Sequence, residues 1–456
     1  MMISSNPATG EILGSFPEHD GAQVERHLAT ASQAQRSWSL ASLDERIAAL
    51  RRFADVLRDH KGEMARLATL EMGKPIGEAE GELTKSAINF DFYADAAPAM
   101  LQDEIIASSA RDSRVVRQPL GLVLAVMPWN YPFWQVMRAV APILVSGNGL
   151  VLKHASNVPQ CALAIERLAK AAGLPDGVLT TLLVGSATVP SLIADDRIVA
   201  VTFTGSTPAG RSIASAAGQA LKKQVLELGG SDPFIVLRDA DIAAAAKVAV
   251  KARFQNTGQS CIAAKRFIVQ AEIADAFSEA FCAEVDALMV GNPLDPDVTQ
   301  GSMARRNLRD ELDIQVNASR GEGARVLRGG AVVAGPGAFY EPTVMDNVTL
   351  DMTVAREETF GPVAAILRAK DAEEAIRFAN HSVFGLGAAI WTADLDRAAS
   401  LAREIEAGAV FVNGLVASDP RLPFGGIKQS GYGRELGALG LQEFTNAKTI
   451  WTGPAQ

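Results

Sequence analysis

The stretch KQVLELGGSDPFIVL, Lys223–Leu237, holds two short apolar runs on either side of a Gly-Gly pair. Each run has the length of a strand, and the glycine-bearing gap between them breaks any helix. Upstream of Gly229-Gly230, apolar runs alternate with helical stretches. GLVLAVMP precedes a helix near 138–146, GLVLK precedes one over 159–172, and GVLTTLLV, residues 191–194 and IVAVTFTG lead to one over about 209–216. Downstream the alternation resumes: DPFIVL, a helix over 242–254, KRFIVQ, a helix over 272–288, PTVMDNV, PVAAILRA, a helix over 373–380, GAAIWT, a helix over 395–405 and GAVFVN. Strands spaced by helical crossovers predict parallel sheets, so the Gly-Gly pair marks the junction of two α/β units.

The ends of the chain frame these units. From Gly21 to about Met72, the spacing of Val24, Leu28, Trp38, Ile47, Leu50, Phe53 and Leu57 predicts amphipathic helices. Ser42, with Glu45 three residues on, reads as a capped helix start. The arms 104–107 and 114–118 flank a polar turn and predict a hairpin whose edges suit oligomerisation.

With 456 residues, the chain is too long for one ordinary core. A net charge of −9 argues against a nucleic-acid partner, which needs clustered Lys and Arg. Cys161, Cys261 and Cys282 form no metal-ligand spacing, so no metal is expected, and their low density suits a reducing cytoplasm. The opening MMISSNPATGEIL lacks a basic-then-apolar leader, and the apolar run GLVLAVMPWNYPFWQVM is broken by Pro128 and Pro132, so no membrane partner is expected.

Cys261 closes NTGQSC, a run of small polar residues in a loop between a helix and a strand. An isolated cysteine is more often a small packing residue, but these neighbours do not resemble a core. None of the five histidines is well placed to activate it, which argues against a Cys–His hydrolase. Glu227 ends a strand; buried, it would be a general base near neutral pH, and exposed, a solvated side chain. FTGSTPAG, residues 203–210, opens a helix whose N–H groups suit a phosphate, yet a plain strand–helix turn reads equally well. Lys153 in LKHAS suits a ribose or phosphate, or simply ends a strand in solvent. Asn130 in PWNYP suits an oxyanion. EETFGP and PFGGIKQSGYGRELG are glycine-bearing loops with charged ends.

Taken in order, PWNYP, KHAS, FTGSTPAG, LELGGSDP, NTGQSC, EETFGP and PFGGIKQSGYGRE resemble the aldehyde dehydrogenase superfamily from about residue 5 onward. The resemblance implies an α/β fold with a Rossmann-like cofactor domain (1–98 and 120–229), an α/β catalytic domain (230–442) and a β-hairpin oligomerisation domain (99–119 and 443–456). It implies Cys261 as nucleophile, Glu227 as general base, Asn130 as oxyanion donor and Glu435 as a second acid near the base. The implied cofactor residues are Trp129, Lys153, Ser156, Gly205, Ser206, Glu358 and Phe360. A homodimer or homotetramer is implied as well.

Ser156 departs from the family's common pattern, in which an acidic residue pairs with the adenosine 2′-hydroxyl. Serine does not repel a 2′-phosphate, so NADP is expected as the preferred cofactor, with NAD as the alternative. His154 beside it is a possible further donor. LKHASNVP, ELGGSDPFIVL and QNTGQSCIAAKRFIV resemble the shorter bacterial succinate-semialdehyde dehydrogenases. That resemblance implies a carboxylated aldehyde as substrate, bound by Arg138 and Ser418 with Trp134 and Phe424 packed on its carbon chain. Glutarate semialdehyde or broad aliphatic aldehydes, a non-redox thioester hydrolase and a non-catalytic binding protein are the alternatives.

Overall fold

A computed structural model describes residues 1–453. The first sheet has six strands in the order 431–432, 223–227, 198–204, 122–127, 149–154 and 179–181. Five are parallel; Gly431–Tyr432 alone runs antiparallel, on the Glu227 edge. Strand Leu122–Met127 is buried along its whole length, as strands covered by helices on both faces must be. The chain winds outward from it through Gly149–His154 to Leu179–Thr181, then returns to its other side at Ile198–Thr204. The winding direction therefore reverses between two neighbouring strands, and a crevice opens beyond their carboxyl ends. PWNYP, LKHAS and FTGSTPAG leave the sheet at the carboxyl ends of three adjacent strands.

The second sheet has seven strands in the order 325–328, 343–346, 363–369, 264–270, 232–236, 387–391 and 409–412, all parallel except the first. Only the four residues from Leu228 to Ser231 separate strand Lys223–Glu227 from Asp232–Val236, so the Gly-Gly pair lies between the two sheets. Strand Gly431–Tyr432 passes back from the second unit to pair with the first.

The expected hairpin is a three-stranded antiparallel sheet. Its central strand, Asp112–Pro119, pairs with Glu104–Ile105 and, over its full length, with Thr445–Thr452. Ile105, Ile106, Ile450 and Trp451 are exposed on it.

The Ser42–Glu45 capping box forms as expected at the start of Leu43–Asp59. The helix expected near 138–146 begins earlier, at Trp134. Its start has no local cap; Glu82 Oε1 accepts the N–H groups of Phe133 and Trp134 at 2.8 Å each from another helix. Helices Ile76–Met100 and Arg306–Gly321 have no counterpart among the expected elements. The first buries Glu82, Ser86 and Asn89 among its apolar residues, which hides a helical stripe in the sequence.

Candidate functional site

Cys261 follows three consecutive residues in the left-handed region, Asn256, Thr257 and Gly258 (φ 56°, 54° and 69°). Two of them are not glycine, a conformation that costs about 1–3 kcal/mol each and persists only where the surroundings hold it. Here they do. Glu78 Oε2 accepts the Asn256 N–H at 2.6 Å, and the Asn256 side chain donates to the carbonyls of Asn130 and Gln259. Asn130 Nδ2 donates to the same Gln259 carbonyl at 3.0 Å. Buried Lys265 donates to the carbonyls of Ser260 (3.0 Å) and Cys261 (2.8 Å). A side chain at 258 would collide with the Gly361 carbonyl. The loop is thus pinned on both sides of the sulfur, while no backbone carbonyl among the described residues engages the Cys261 N–H.

The half-buried Cys261 lines two clefts that meet at it. Burial pushes its thiol up to about 12, while Arg138 and Lys265 pull it down and Glu358 and Glu227 push it further up. At neutral pH the resting sulfur is a thiol.

The first cleft, of about 770 Å³, lies in the crevice at the carboxyl ends of the first sheet. Trp129, Asn130, Lys153, Gly205, Ser206, Glu358 and Phe360 all line it. Helix Thr207–Gln219 starts there with no side-chain cap, so its first N–H groups are available to an anion. Lys153 enters the cleft without a carboxylate within ion-pair distance among the described residues, and burial lowers its affinity for a proton. Trp129 and Phe360 meet edge to face, 5.7 Å between ring centres. Glu358 Oε1 accepts the Gly230 N–H at 3.0 Å and lies 3.7 Å from Lys265 Nζ. A side chain on Gly229 would run into the Glu358 carboxylate. A cleft of this size with a free helix start, a lysine that has no ion pair among the described residues and a carboxylate beside two aromatic rings fits a nicotinamide dinucleotide.

Ser156 is exposed on the loop beyond Lys153; its neighbour Ala155 lines the cleft and it does not. His154 is not a free donor, contrary to expectation. It is buried, its Nδ1 accepts the Ala155 N–H and its Nε2 contacts the Pro132 carbonyl, both at 2.8 Å. Burial drops it to about 4, so it stays neutral and serves to tie two loops together.

Glu227, Glu435 and Arg138 form a buried group, of which Arg138 reaches the second cleft. Neither Glu227 oxygen has a hydrogen-bond partner among the described residues. Burial first, and the Glu435 charge second, hold Glu227 well above the usual carboxylate range. Burial also raises Glu435, which forms an ion pair with Arg138. Neither glutamate lines either cleft in this conformation.

The second cleft, of about 550 Å³, is lined by Trp134, Arg138, Ser418 and Phe424, the four expected substrate residues. Trp134 and Phe424 belong to an apolar cluster against which Cys261 and Ile262 pack. Arg138 stacks over the Phe424 ring at 4.8 Å. Lys85, Glu78, Glu82, Lys247 and Lys251, which the sequence reading missed, also line this cleft. Lys85 lies in the unexpected helix Ile76–Met100, so no motif pointed to it. Arg305, in the first cleft 6.0 Å from the Trp129 ring, and Lys265 were missed for the same want of a motif.

Comparison with known proteins matches this geometry. A succinate semialdehyde dehydrogenase [NAD(P)+] of Escherichia coli (strain K12) is 51% identical over 449 residues, 98% of this chain and 97% of that protein. A probable succinate-semialdehyde dehydrogenase [NADP(+)] of Synechocystis sp. is 50% identical over 446 residues, 98% of each chain. The crystal structure of succinic semialdehyde dehydrogenase from Streptococcus pyogenes in complex with NADP+ superposes with a TM-score of 0.97 at 38% identity, covering 99% of this chain and 100% of that one. The description "Aldehyde dehydrogenase family" matches residues 2–450, and with the two clefts meeting on one cysteine, the chain belongs to that family.

Proposed function

We propose that the protein oxidises succinate semialdehyde, or a close carboxylated aldehyde, to the acid, with NADP preferred and NAD accepted. The observation that carries this reading is Cys261 at the meeting point of a dinucleotide-shaped cleft and a second cleft that pairs aromatic walls with cationic side chains. The names of the relatives support the substrate and the cofactor.

Cys261 loses its proton and attacks the aldehyde carbon. The oxyanion receives the Cys261 N–H and the Asn130 amide hydrogen that Gln259 leaves free; each such donor is worth about 2.7–4 kcal/mol. A dinucleotide bound in the first cleft would supply a hydride acceptor and a positive ring. Lys153 and the start of helix Thr207–Gln219 would hold its phosphate-bearing half, and Glu358 and Phe360 the half near Cys261. The thioester left on Cys261 is hydrolysed by a water that Glu227 deprotonates, for which the raised proton affinity of this buried carboxyl is suited. Glu435 holds Arg138 beside it.

The three-stranded sheet, spanning 99–119 and 443 onward, assembles homodimers or homotetramers, its exposed Ile105, Ile450 and Trp451 supporting that reading. Residues 454–456 of this unit lie outside the described residues. A cytoplasmic setting keeps the thiol reduced; no helix among the described residues is long and apolar enough to cross a membrane.

The test follows reduced nicotinamide over a panel of aldehydes with each cofactor. Succinate semialdehyde with NADP should give the highest kcat/KM. A preference for uncharged aldehydes would reject the substrate, and a higher value with NAD would reject the cofactor preference.

A further inference from the structure

We propose that Lys265 is a positioning residue for the oxyanion: it holds the peptide group whose N–H belongs to Cys261 and places a positive charge behind it. The inference rests on the proposed attack of Cys261 on an aldehyde, and it gives a role to a buried cation that the attack does not otherwise use.

A single peptide group links Lys265 to the oxyanion. Its two ends are the Ser260 carbonyl and the Cys261 N–H. No backbone carbonyl among the described residues takes that N–H, so it is free for the oxyanion. At the other end, the Ser260 carbonyl accepts Lys265 Nζ at 3.0 Å and the Ala263 N–H at 3.2 Å. Hydrogen bonds accepted by a carbonyl polarise its peptide group and make the N–H a stronger donor. A charged donor does this more than a neutral one. The carbonyl of Cys261 itself accepts Nζ at 2.8 Å, so the lysine holds the chain on both sides of the nucleophile.

Geometry fixes the charge state of Lys265. Nζ faces three carbonyls, those of Ser260, Cys261 and Ala263, the last at 3.3 Å. An ammonium has three hydrogens to match them; a neutral amine has two and would turn its lone pair toward a carbonyl. Burial lowers the affinity of Lys265 for a proton; Glu358, Asp232 and Cys261 raise it again, and Arg253 acts against them. The side chain is fully buried, so water does not screen its charge. Glu358 Oε1 lies 3.7 Å away, near enough to compensate the charge and too far to take a hydrogen from the carbonyls. Of the charged groups that face the sulfur, Arg138 and Lys265 favour the thiolate, and Glu358 and Glu227 oppose it. Arg138 is in direct contact with Glu435, whereas Lys265 meets its carboxylate only across that wider gap.

The experiment compares wild type, Lys265→Met and Lys265→Gln by two readings. The first is a single turnover of succinate semialdehyde with NADP, enzyme in excess, followed as reduced nicotinamide. The second is alkylation of Cys261 by iodoacetamide at about pH 8 without added dinucleotide, with Cys261→Ala as the blank for Cys161 and Cys282. Lys265→Met should slow the single turnover about 30-fold at saturation, and shift the concentration for half-maximal rate by less than about threefold. Its alkylation should slow about fivefold, because the thiolate has lost a cation. Lys265→Gln, which still donates to a carbonyl but carries no charge, should lose only about fivefold in the single turnover and as much as Lys265→Met in alkylation. Cooperative thermal unfolding reports that each variant is folded, and Lys265→Gln carries the test where Lys265→Met does not fold. Faster alkylation in a folded variant would mean that the lysine only packs the loop, and it would overturn the inference. A wild type that reduces no nicotinamide with any aldehyde overturns the reading of function and this inference with it; an active wild type whose single turnover both variants retain overturns the inference alone.

Discussion

The two clefts that meet at Cys261 are built by different means. The first is made largely of backbone: strand ends, a helix start, and glycines that let Glu358 and the loops approach. The second is made of side chains from distant helices and loops, with Lys85, Trp134 and Ser418 brought together from three parts of the chain. A backbone site needs particular residues at fixed spacings, because only they permit the required turns. A side-chain site needs only that suitable groups converge, and many sequences satisfy that. The first cleft therefore leaves compact motifs behind it, whereas the second was legible only in part: Trp134, Arg138, Ser418 and Phe424 were expected, and Lys85, Lys247 and Lys251 were not.

The comparison can be broken at its joint. Cys261→Ala should lower aldehyde oxidation by at least about 10⁴-fold while leaving dinucleotide binding, followed by fluorescence quenching, close to wild type. Loss of binding as well would mean that the clefts are not independent. Glu227→Gln should separate the half-reactions. A burst of about one equivalent of reduced nicotinamide should precede a steady state slowed about 10²–10⁴-fold. A variant with no burst would place Glu227 before hydride transfer.

Smaller effects should stay within one cleft each. The second cleft should be sensitive to pH. Burial, and next Arg138, lower Lys85 to about 8, while Asp419 and Glu82 act against them. A charged Lys85 on this cleft attracts a carboxylate, so an attraction of that kind is greatest below that value and is lost above it. The KM for succinate semialdehyde should rise about tenfold from pH 7 to pH 9 relative to that for butanal. A flat ratio would mean that the Lys85 charge does not act on the substrate. The first cleft should respond to Ser156→Glu, which adds a negative charge at its rim. The ratio of NADP to NAD in kcat/KM should fall about fivefold, less at high salt, since Ser156 is exposed. An unchanged ratio would put the 2′-phosphate elsewhere.

The fold was legible where local rules suffice. Ser42 and Glu45 announced a helix that forms as expected, and the alternation around Gly229-Gly230 announced two parallel sheets. It was illegible where a distant residue supplies the stabilising group. Helix Trp134–Val145 starts where Glu82 caps it, and helix Ile76–Met100 carries polar residues inward to do such work. His154 was misread for the same reason: its neighbours in sequence suggested a ligand, whereas Pro132 across the fold engages its ring.

By itself, then, the sequence determined the two α/β units and the family of the chain, and it singled out Cys261, Glu227, Asn130 and the motifs of the first cleft. These depend on residue types at short range, where a glycine or a helix start admits few substitutes. Only the tertiary structure decided that Cys261 stands between two clefts, that Arg138 is bound to Glu435, and that Lys85 remains uncompensated beside Ser418. Charge compensation is a property of neighbours in space, and 333 residues separate Lys85 from the hydroxyl it holds.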